Sequence, residues 1–256
     1  MARLDAELLL AQLCRSTRAQ LTAFDEALVD PLTAALYRAC LARRAAGEPL
    51  AYITGMREFW SLRLVVSPAV LIPRPETELL VEKCLQRFDV APRRVADLGT
   101  GSGAVALALA RERPDWTIVA TDASPQALEI AALNRERLSC GNVTLRQGSW
   151  FGAIADGPFD AILSNPPYVS ADDAAVAALA FEPRAALVAA DGGYADLFAI
   201  AAGAMSWLKP GGVLLLEHGA SQHARLASRL VALGYARVVC HRDLAGLDRV
   251  TEAQRP

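Results

Sequence analysis

Residues 94–111 have the sequence RVADLGTGSGAVALALAR. The first five residues are mostly apolar and predict a buried strand, the glycine-rich run 99–103 predicts a tight turn, and the alanine- and leucine-rich remainder predicts a helix. A strand, a glycine turn and a helix N-terminus in this order form a nucleotide cradle, because the helix offers free N–H groups and glycine lets a ligand approach the backbone. This stretch therefore predicts an open α/β sheet with a ligand site at the turn.

Downstream of this stretch, short apolar runs alternate with helical segments. Ser124 and Pro125 cap and start one helix that runs to about Leu138, and another helix runs from about Tyr194 to Leu208. The predicted strands are 94–98, 117–121, 142–146, 159–164, 213–217, about 236–241 and 248–251. Alternation of this kind predicts a doubly wound, mostly parallel seven-stranded sheet.

Residues 1–75 have a different pattern. They are rich in Ala, Leu and Arg at helical spacing, with breaks at Pro31 and at residues 47–49. Residues 59–66 predict one strand of a hairpin, and residues 71–78 then join the two parts, with Pro75 as the first residue of a helix. We therefore expect a small N-terminal helical domain with a hairpin linker over 1–75 and the α/β domain over 76–256. The arginines of the N-terminal domain suit a solvated face or a surface that meets an acidic partner.

Two aspartates near the glycine turn bear on the identity of the ligand. Asp122 ends the next strand, about 20 residues after the glycines, which is the spacing of a carboxylate that accepts from ribose hydroxyls. Both NAD and S-adenosylmethionine contain such a ribose, so Asp122 does not separate them. The negative charge of Asp97 attracts the cationic methionine end of S-adenosylmethionine, whereas it would repel the pyrophosphate of NAD. Asp97 alternatively orients the turn by accepting from backbone N–H groups.

The sequence NPPY occupies residues 165–168, directly after the buried run FDAILS. It therefore lies at the C-terminal end of a strand, where open α/β sheets bind their ligands. Asn165 Oδ1 and the Pro166 carbonyl are both acceptors with no competing local donor, because Pro166 and Pro167 have no N–H group. Two acceptors beside the ring of Tyr168 suit a planar group with an NH2, such as a carboxamide or a base amine. A plain turn is the alternative, because Asn-Pro often starts one.

Composition narrows the class of protein. The 256 residues are 53% hydrophobic with a net charge of −2, which allows a large core and gives no overall attraction to nucleic acid or to a membrane surface. The five cysteines have no CxxC pair and the three histidines have no metal-binding spacing. We therefore expect reduced thiols, no metal site and a cytoplasmic protein. No apolar run is long enough to span a bilayer, so we expect no membrane partner.

Seven motifs spread over nearly the whole chain occur together: PLAYITG at 49–55, EF at 58–59, LIPRPETE at 71–78, DLGTGSG at 97–103, SNPPY at 164–168, EP at 182–183 and LKPGG at 208–212. In this combination they resemble the release factor glutamine methyltransferase family. Many methyltransferases share the glycine motif, and enzymes that methylate amino groups of nucleic acids share NPPY, whereas the combination with LIPRPETE is much more specific. The resemblance implies a class I methyltransferase fold. It also implies transfer of a methyl group from S-adenosylmethionine to the side-chain nitrogen N5 of the glutamine in the Gly-Gly-Gln motif of peptide chain release factors.

The resemblance also implies the residues of the site. The glycine turn would surround the methionine moiety, Asp122 would bind the ribose and Trp150 would lie against the adenine. The full cofactor-binding set is Asp97, Gly99, Thr100, Gly101, Ser102, Gly103, Asp122, Trp150 and Asn165. Asn165, Pro166, Pro167 and Tyr168 would hold the glutamine, with Asn165 and Pro166 as the catalytic acceptors. Tyr168 is either a stacking wall or packs against its own loop.

Two short segments depart from the family pattern. The family usually has a Gly-Leu pair and a basic residue after the second Gly-Gly, where this chain has Tyr194 to Ala199. An Asn-Ala pair on the second helix is Asn134-Arg135 here. Neither departure changes the predicted acceptors.

Three functions remain open at this point. The first is a protein-glutamine methyltransferase, and the second is an N6-adenine or other amino-methylating enzyme for nucleic acid, which uses the same NPPY chemistry. The second predicts a basic surface, which the net charge does not favour, so nucleic acid is not expected as a substrate. The third is a non-catalytic S-adenosylmethionine-binding protein, against which the intact acceptors argue. Arg74, Glu76 and His218 each fit either a contact with the substrate or a structural role.

Overall fold

A computed structural model describes residues 3–256 of the chain. They form two compact units, one that ends at Met56 and one that runs from Arg57 to Pro256. Within the described residues, no helix combines the length and the apolar character that crossing a lipid bilayer requires.

The first unit is helical. Its helices are α1 (Arg3–Leu13), α2 (Arg18–Ala23), α3 (Pro31–Ala45) and α4 (Leu50–Thr54). Asp30 caps α3 by accepting from the N–H of Thr33, and the fixed φ of Pro31 suits the first turn of that helix. Gly55 ends α4 in the left-handed conformation. The predicted helical breaks at Pro31 and at 47–49 are confirmed.

Apart from Met56, the first residue of β1, the second unit contains every strand in the described part of the chain. The strands are β1 (Met56–Phe59), β2 (Leu62–Val65), β3 (Arg94–Leu98), β4 (Thr117–Asp122), β5 (Val143–Gln147), β6 (Phe159–Ser164), β7 (Leu208–Glu217), β8 (Ala236–Arg242) and β9 (Asp248–Gln254). The helices are α5 (Glu78–Arg87), α6 (Ala104–Glu112), α7 (Pro125–Arg137), α8 (Ala175–Ala178), α9 (Ala190–Gly193), α10 (Ala195–Trp207) and α11 (His223–Ala232).

Seven of these strands form one sheet in the order β5-β4-β3-β6-β7-β9-β8. The first five are parallel, whereas β9 runs antiparallel to both β7 and β8. Helices α5 and α6 pack on one face of the sheet, and α10 and α11 pack on the other. All six residues of β6 are buried, as the continuous apolar run predicts for a strand covered on both faces. The predicted mostly parallel seven-stranded sheet is confirmed.

The predicted hairpin strand over 59–66 is wrong in its bounds. The chain turns at Trp60 and Ser61, which have φ values of 50° and 58°, and β1 and β2 lie on either side. A two-residue hairpin turn of type I′ needs positive φ at both central positions, and Asn-Gly is its usual signal. Trp and Ser rarely adopt positive φ, so the sequence at Trp60 and Ser61 contained no signal for this turn.

Strand β7 also starts earlier than predicted. The sequence analysis ended the preceding helix at Leu208 and began the strand at residue 213, because Pro and Gly residues lie between. Leu208 instead pairs with Phe159 of β6, and a register shift carries the strand past the glycines to Val213, which pairs with Ala161. Pairing with a buried neighbour outweighs local propensity here.

The hairpin lies in the second unit, whereas the sequence analysis attached it to the N-terminal part. Phe59 and Leu64 are almost fully buried in the core cluster that α5 and α6 form with the sheet. The side chain of Asn134 accepts from Val65 N at 2.7 Å and donates to Val65 O at 2.9 Å, so it pairs with β2 as another strand would. Apolar burial and this pairing explain why the compact unit begins at Arg57.

Candidate active site

A cavity of about 510 Å³ opens at the carboxyl ends of β3, β4 and β6. This is the edge at which parallel sheets bind ligands, because the loops that follow neighbouring strands meet there. Nine of the predicted site residues line it: Asp97, Gly99, Thr100, Gly101, Ser102, Asp122, Trp150, Asn165 and Pro167. Gly103, Pro166 and Tyr168 are not part of the lining.

The glycine turn needs glycine for two reasons. Gly99, Gly101 and Gly103 have φ values of +73°, +55° and +85°, which side chains disfavour. A Cβ at Gly103 would also lie 2.9 Å from Leu107 Cδ1, where helix α6 packs behind the turn. The turn therefore keeps its backbone bare toward the cavity, as a closely approaching ligand requires.

Asp97 lies beneath this turn and is almost completely buried. Its Oδ2 accepts from the Thr100 hydroxyl at 2.6 Å and from the Ala106 N–H at 3.2 Å, which are the contacts of a residue that orients the turn. Burial raises the pKa of Asp97 to about 6, although the Thr100 and Ala106 hydrogen bonds lower it and the Asp122 charge raises it. Asp97 also lines the cavity, so it is placed to contact a ligand as well.

Asp122 holds the backbone on both sides of the cavity. Its Oδ2 accepts from Gly101 N at 2.9 Å, and its Oδ1 accepts from Ser124 N at 2.9 Å. A carboxylate has about four acceptor sites, so each oxygen can accept one further hydrogen bond from a ligand hydroxyl. The carboxylate thus joins the glycine turn to the start of α7 and can still bind a ribose.

Trp150 forms part of the cavity wall from the loop after β5. Its φ is +45°, and its ring carbon Cζ3 lies 3.2 Å from the place where a Cβ on Gly99 would be. The bare Gly99 therefore gives the indole ring its position. Burial raises the pKa of the Asp196 carboxyl, and the nearby Trp150 side chain lowers it by a smaller amount. The sequence analysis did not predict Asp196 as part of this wall.

Asn165 presents its amide oxygen without a partner. Its Nδ2 donates to the Thr77 hydroxyl oxygen at 3.1 Å. Among residues 3–256, no group donates a hydrogen bond to Asn165 Oδ1 or to the carbonyl oxygen of the buried Pro166. Both oxygens of the predicted acceptor pair thus lack a partner among the described residues, and Asn165 lines the cavity whereas Pro166 does not.

Tyr168 packs into the protein core. Its ring contacts the cluster of α10 and α11, and its hydroxyl donates to Glu217 Oε1 at 3.3 Å. Burial raises the pKa of Tyr168, and the nearby Glu217 carboxylate raises it further. Of the two roles weighed for Tyr168, this placement favours packing against its loop.

A salt-bridged contact joins two further segments of the cavity wall. Glu182 is buried, accepts from Ile72 N at 3.1 Å and pairs with Arg74 at 2.5 Å. It thereby joins the segment 69–73 to the segment 183–186, and residues of both segments line the cavity. Arg74 thus takes the structural role weighed for it, whereas Glu76 is exposed.

His218 lies away from the cavity, in a cluster that sequence spacing did not reveal. Ligand-type atoms of His218, His223 and Cys240 lie within 4.8 Å of one another, because β7, α11 and β8 meet there. One ring nitrogen of each histidine already has a hydrogen-bond partner, since Thr251 Oγ1 lies 2.8 Å from His218 Nε2 and 2.9 Å from His223 Nδ1. Burial raises the pKa of Cys240 to about 11 and so disfavours the thiolate that binds metals. We assign the cluster a structural role.

The groups around the cavity suit S-adenosylmethionine. Asp97 supplies negative charge for a cationic end, Asp122 supplies acceptors for ribose hydroxyls, and Trp150 supplies an aromatic surface for a base. The volume of about 510 Å³ lies within the usual range for small-molecule sites.

Family models match both parts of the chain. The model described as methyltransferase small domain matches residues 75–230, and the model described as PrmC N-terminal domain matches residues 1–55.

Curated relatives match nearly the whole chain. The release factor glutamine methyltransferase of Salmonella typhimurium is 47% identical over 97% of this chain and 91% of that protein. The protein of the same name from Coxiella burnetii is 46% identical over 99% of this chain and 92% of that protein. Among solved structures, a methyltransferase from Pyrococcus furiosus is similar with a TM-score of 0.58 and 20% identity over 84% of this chain and 97% of that chain, which supports the fold alone.

Proposed function

The chain belongs to the release factor glutamine methyltransferase family, and from this premise we propose that it methylates peptide chain release factors. The acceptor is the side-chain nitrogen N5 of the glutamine in their Gly-Gly-Gln motif. S-adenosylmethionine is the cofactor and supplies the methyl group. The observation that carries the proposal is the pair of unpartnered acceptors at Asn165 Oδ1 and the Pro166 carbonyl, beside a cavity whose groups suit this cofactor.

The chemistry of an amide explains why two acceptors are needed. An amide nitrogen is a poor nucleophile, because its lone pair is delocalised into the carbonyl. We propose that Asn165 Oδ1 and the Pro166 carbonyl accept the two N–H groups of the glutamine and so fix the nitrogen in line with the methyl carbon. Positioning of this kind can lower a barrier by up to about 7–11 kcal/mol.

The same acceptors favour the transition state over the bound substrate. The glutamine nitrogen gains positive charge as the new bond forms, so its N–H groups donate more strongly to Asn165 and Pro166. A strong general base is not required, because the N-alkylated amide cation is acidic and loses its proton readily after transfer. Because the reaction needs hydrogen-bond acceptors and not a strong base, this mechanism accounts for a site that is rich in acceptors.

For the cofactor, we propose roles that follow the cavity wall. The turn from Gly99 to Gly103 and the carboxyl of Asp97 surround the methionine moiety. Asp122 accepts from the ribose hydroxyls, and Trp150 lies against the adenine. Pro167 and Tyr168 hold the loop that carries Asn165, with Tyr168 anchored at Glu217.

The proposed partner is a protein and not a nucleic acid. The net charge of −2 gives no overall basic surface of the kind that nucleic acid requires. We propose that the N-terminal helical unit recognises the release factor. The five cysteines are free, in accord with a cytoplasmic location.

The test uses the full chain, labelled S-adenosylmethionine and an intact release factor that carries the Gly-Gly-Gln motif. We expect label on the glutamine of that motif, and no label on a release factor with Gln→Ala at this position or on DNA or RNA. Asn165→Ala should lower kcat by about 100-fold or more, since it removes one of two transition-state acceptors, while cofactor affinity changes less. Label on nucleic acid, or a folded Asn165→Ala variant with wild-type kcat, would refute the proposal.

A further inference from the structure

A buried chain of polar groups adjoins Asn165. Thr77, which ends the turn before α5, is 4% exposed and accepts from Asn165 Nδ2 at 3.1 Å. Glu217, the last residue of β7, is 1% exposed and accepts from the Tyr168 hydroxyl on Oε1. Its other oxygen, Oε2, has no hydrogen-bond partner among residues 3–256. Folded proteins rarely leave a buried carboxyl oxygen unpartnered, so this atom calls for an explanation.

The hydroxyl of Thr77 can supply the missing partner. Its interaction with Glu217 lowers the pKa of that carboxyl, so the two side chains are neighbours. Among the described residues, however, neither Glu217 oxygen receives a hydrogen bond of standard geometry from Thr77. A hydroxyl has one proton and two acceptor sites. If that proton is donated to the Glu217 carboxylate, Thr77 Oγ1 can only accept, and the group facing it must be a donor. Asn165 Nδ2 is that donor.

The orientation of the Asn165 amide follows from this arrangement. The oxygen and nitrogen of an asparagine side chain are similar in size, so hydrogen-bond partners decide which way the group points. With Nδ2 held at Thr77, Oδ1 remains for the substrate. The reversed amide would direct its own NH2 at the NH2 of the glutamine, which places two donors against each other.

Resting on the proposed function, we propose that Thr77 and Glu217 are positioning residues for methyl transfer. Ionised Glu217 accepts a hydrogen bond from the Thr77 hydroxyl, and Thr77 in turn accepts from the Asn165 amide nitrogen and so holds the amide with its oxygen toward the substrate. Both residues act through Asn165.

This arrangement makes the reaction depend on pH. Burial raises the pKa of Glu217 to about 7; the Thr77 hydroxyl, the Arg249 guanidinium and the Tyr168 hydroxyl lower it, and the Glu76 carboxylate raises it. These groups belong to the turn before α5, to β9 and to the loop after β6, the elements that face the carboxyl. Below this pKa the protonated carboxyl no longer requires the Thr77 proton, so fewer molecules hold Asn165 in the productive orientation. We therefore expect kcat to rise with pH through about 7.

Three variants and one matched control test the proposal in the full-length enzyme. Thr77→Val removes the hydroxyl but keeps the shape, Thr77→Ser restores it, and Glu217→Gln removes the charge. Thr121→Val is the control, because Thr121 is equally buried and its hydroxyl has no partner among the described residues. The readouts are kcat and KM for the release factor, cofactor affinity by calorimetry, and the thermal midpoint of unfolding.

We expect Thr77→Val to lower kcat at least about 20-fold with little change in cofactor affinity, and Thr77→Ser to recover most of that loss. Glu217→Gln should lower kcat and abolish the inflection of the pH profile near 7. The control should match the wild type in kcat. Wild-type kcat in folded Thr77→Val, or the same inflection in Glu217→Gln, would overturn the proposal.

A measurement without substrate separates this proposal from the proposed function. The side-chain NH2 protons of Asn165, assigned in NMR spectra by their loss in Asn165→Ala, should exchange with water more slowly in the wild type than in Thr77→Val. Equal exchange would overturn the positioning role even if the enzyme methylates release factors. Slow exchange in an enzyme that fails to methylate them would instead refute the proposed function and leave the arrangement of Thr77 and Asn165 in place.

Discussion

Binding of S-adenosylmethionine should become weaker below pH 6, because the buried carboxyl of Asp97 takes up a proton there. Burial raises the pKa of Asp97 from 3.8 to about 6 in the free protein. A cationic ligand next to this group favours the ionised form, so binding lowers the pKa and releases a proton. Affinity therefore rises with pH until Asp97 is fully ionised.

The size of the change in cofactor affinity follows from the fraction of molecules in which Asp97 is ionised. With a pKa of about 6, roughly a tenth of the molecules are ionised at pH 5 and roughly nine tenths at pH 7. If only the ionised form binds well, the dissociation constant is about tenfold larger at pH 5, equivalent to about 1.4 kcal/mol. At pH 6, calorimetry in buffers of different ionisation enthalpy should detect the release of about half a proton per cofactor bound.

Isothermal titration calorimetry between pH 5 and pH 7 measures both the dissociation constant and the number of protons released on binding. Asp97→Asn should bind more weakly at pH 7 and show a flat profile, because the amide does not titrate. Asp172→Asn, which removes an exposed carboxylate outside the cavity lining, should retain the wild-type slope. An affinity that does not change with pH in the wild type, or the same slope in Asp97→Asn, would show that Asp97 does not contact the cationic end.

Three further predictions concern the cofactor, the hairpin and the N-terminal unit. Asp122→Ala should weaken S-adenosylmethionine binding by about 1.5–3 kcal/mol, since ribose hydroxyls lose a charged acceptor and the glycine turn loses a support; unchanged affinity by calorimetry would exclude Asp122 from the site. Asn134→Ala should lower the free energy of unfolding by about 3 kcal/mol, because the buried side chain bonds Val65 twice and the Ser102 carbonyl once; urea denaturation with an unchanged midpoint would contradict this. A chain truncated to residues 57–256 should bind the cofactor but fail to methylate an intact release factor, whereas full activity would show that the helical unit is dispensable.

Local patterns were sufficient to predict much of the architecture. The helix from Pro125 to Arg137 begins where its cap was predicted, with Ser124 accepting from Ala127 N at 3.1 Å. Strand β6 and the turn after β3 also lie where the sequence placed them. Such features depend on capping groups, on proline and glycine geometry and on runs of apolar residues, all of which act over a few neighbouring positions.

Errors arose where distant residues overrode these local preferences. Strand β7 continues through Pro210 and the two glycines because it pairs with the buried β6. The hairpin turns at Trp60 and Ser61 without the usual turn residues, and Asn134 fastens it from 69 positions away. A single sequence contains no local sign of such pairings.

By itself, the sequence determined that a glycine turn and an NPPY loop end two strands, and from these it predicted the cavity residues Asp97, Asp122 and Asn165. Only the tertiary structure decided what surrounds them. The bond from Asn165 to Thr77 spans 88 positions, and the bond from Tyr168 to Glu217 spans 49. Tyr168 and Glu217 meet because β6 and β7 are neighbours in the sheet, and Thr77 reaches Asn165 from the turn before α5. Neither arrangement is settled by a short stretch of chain, because both depend on burial across the whole domain.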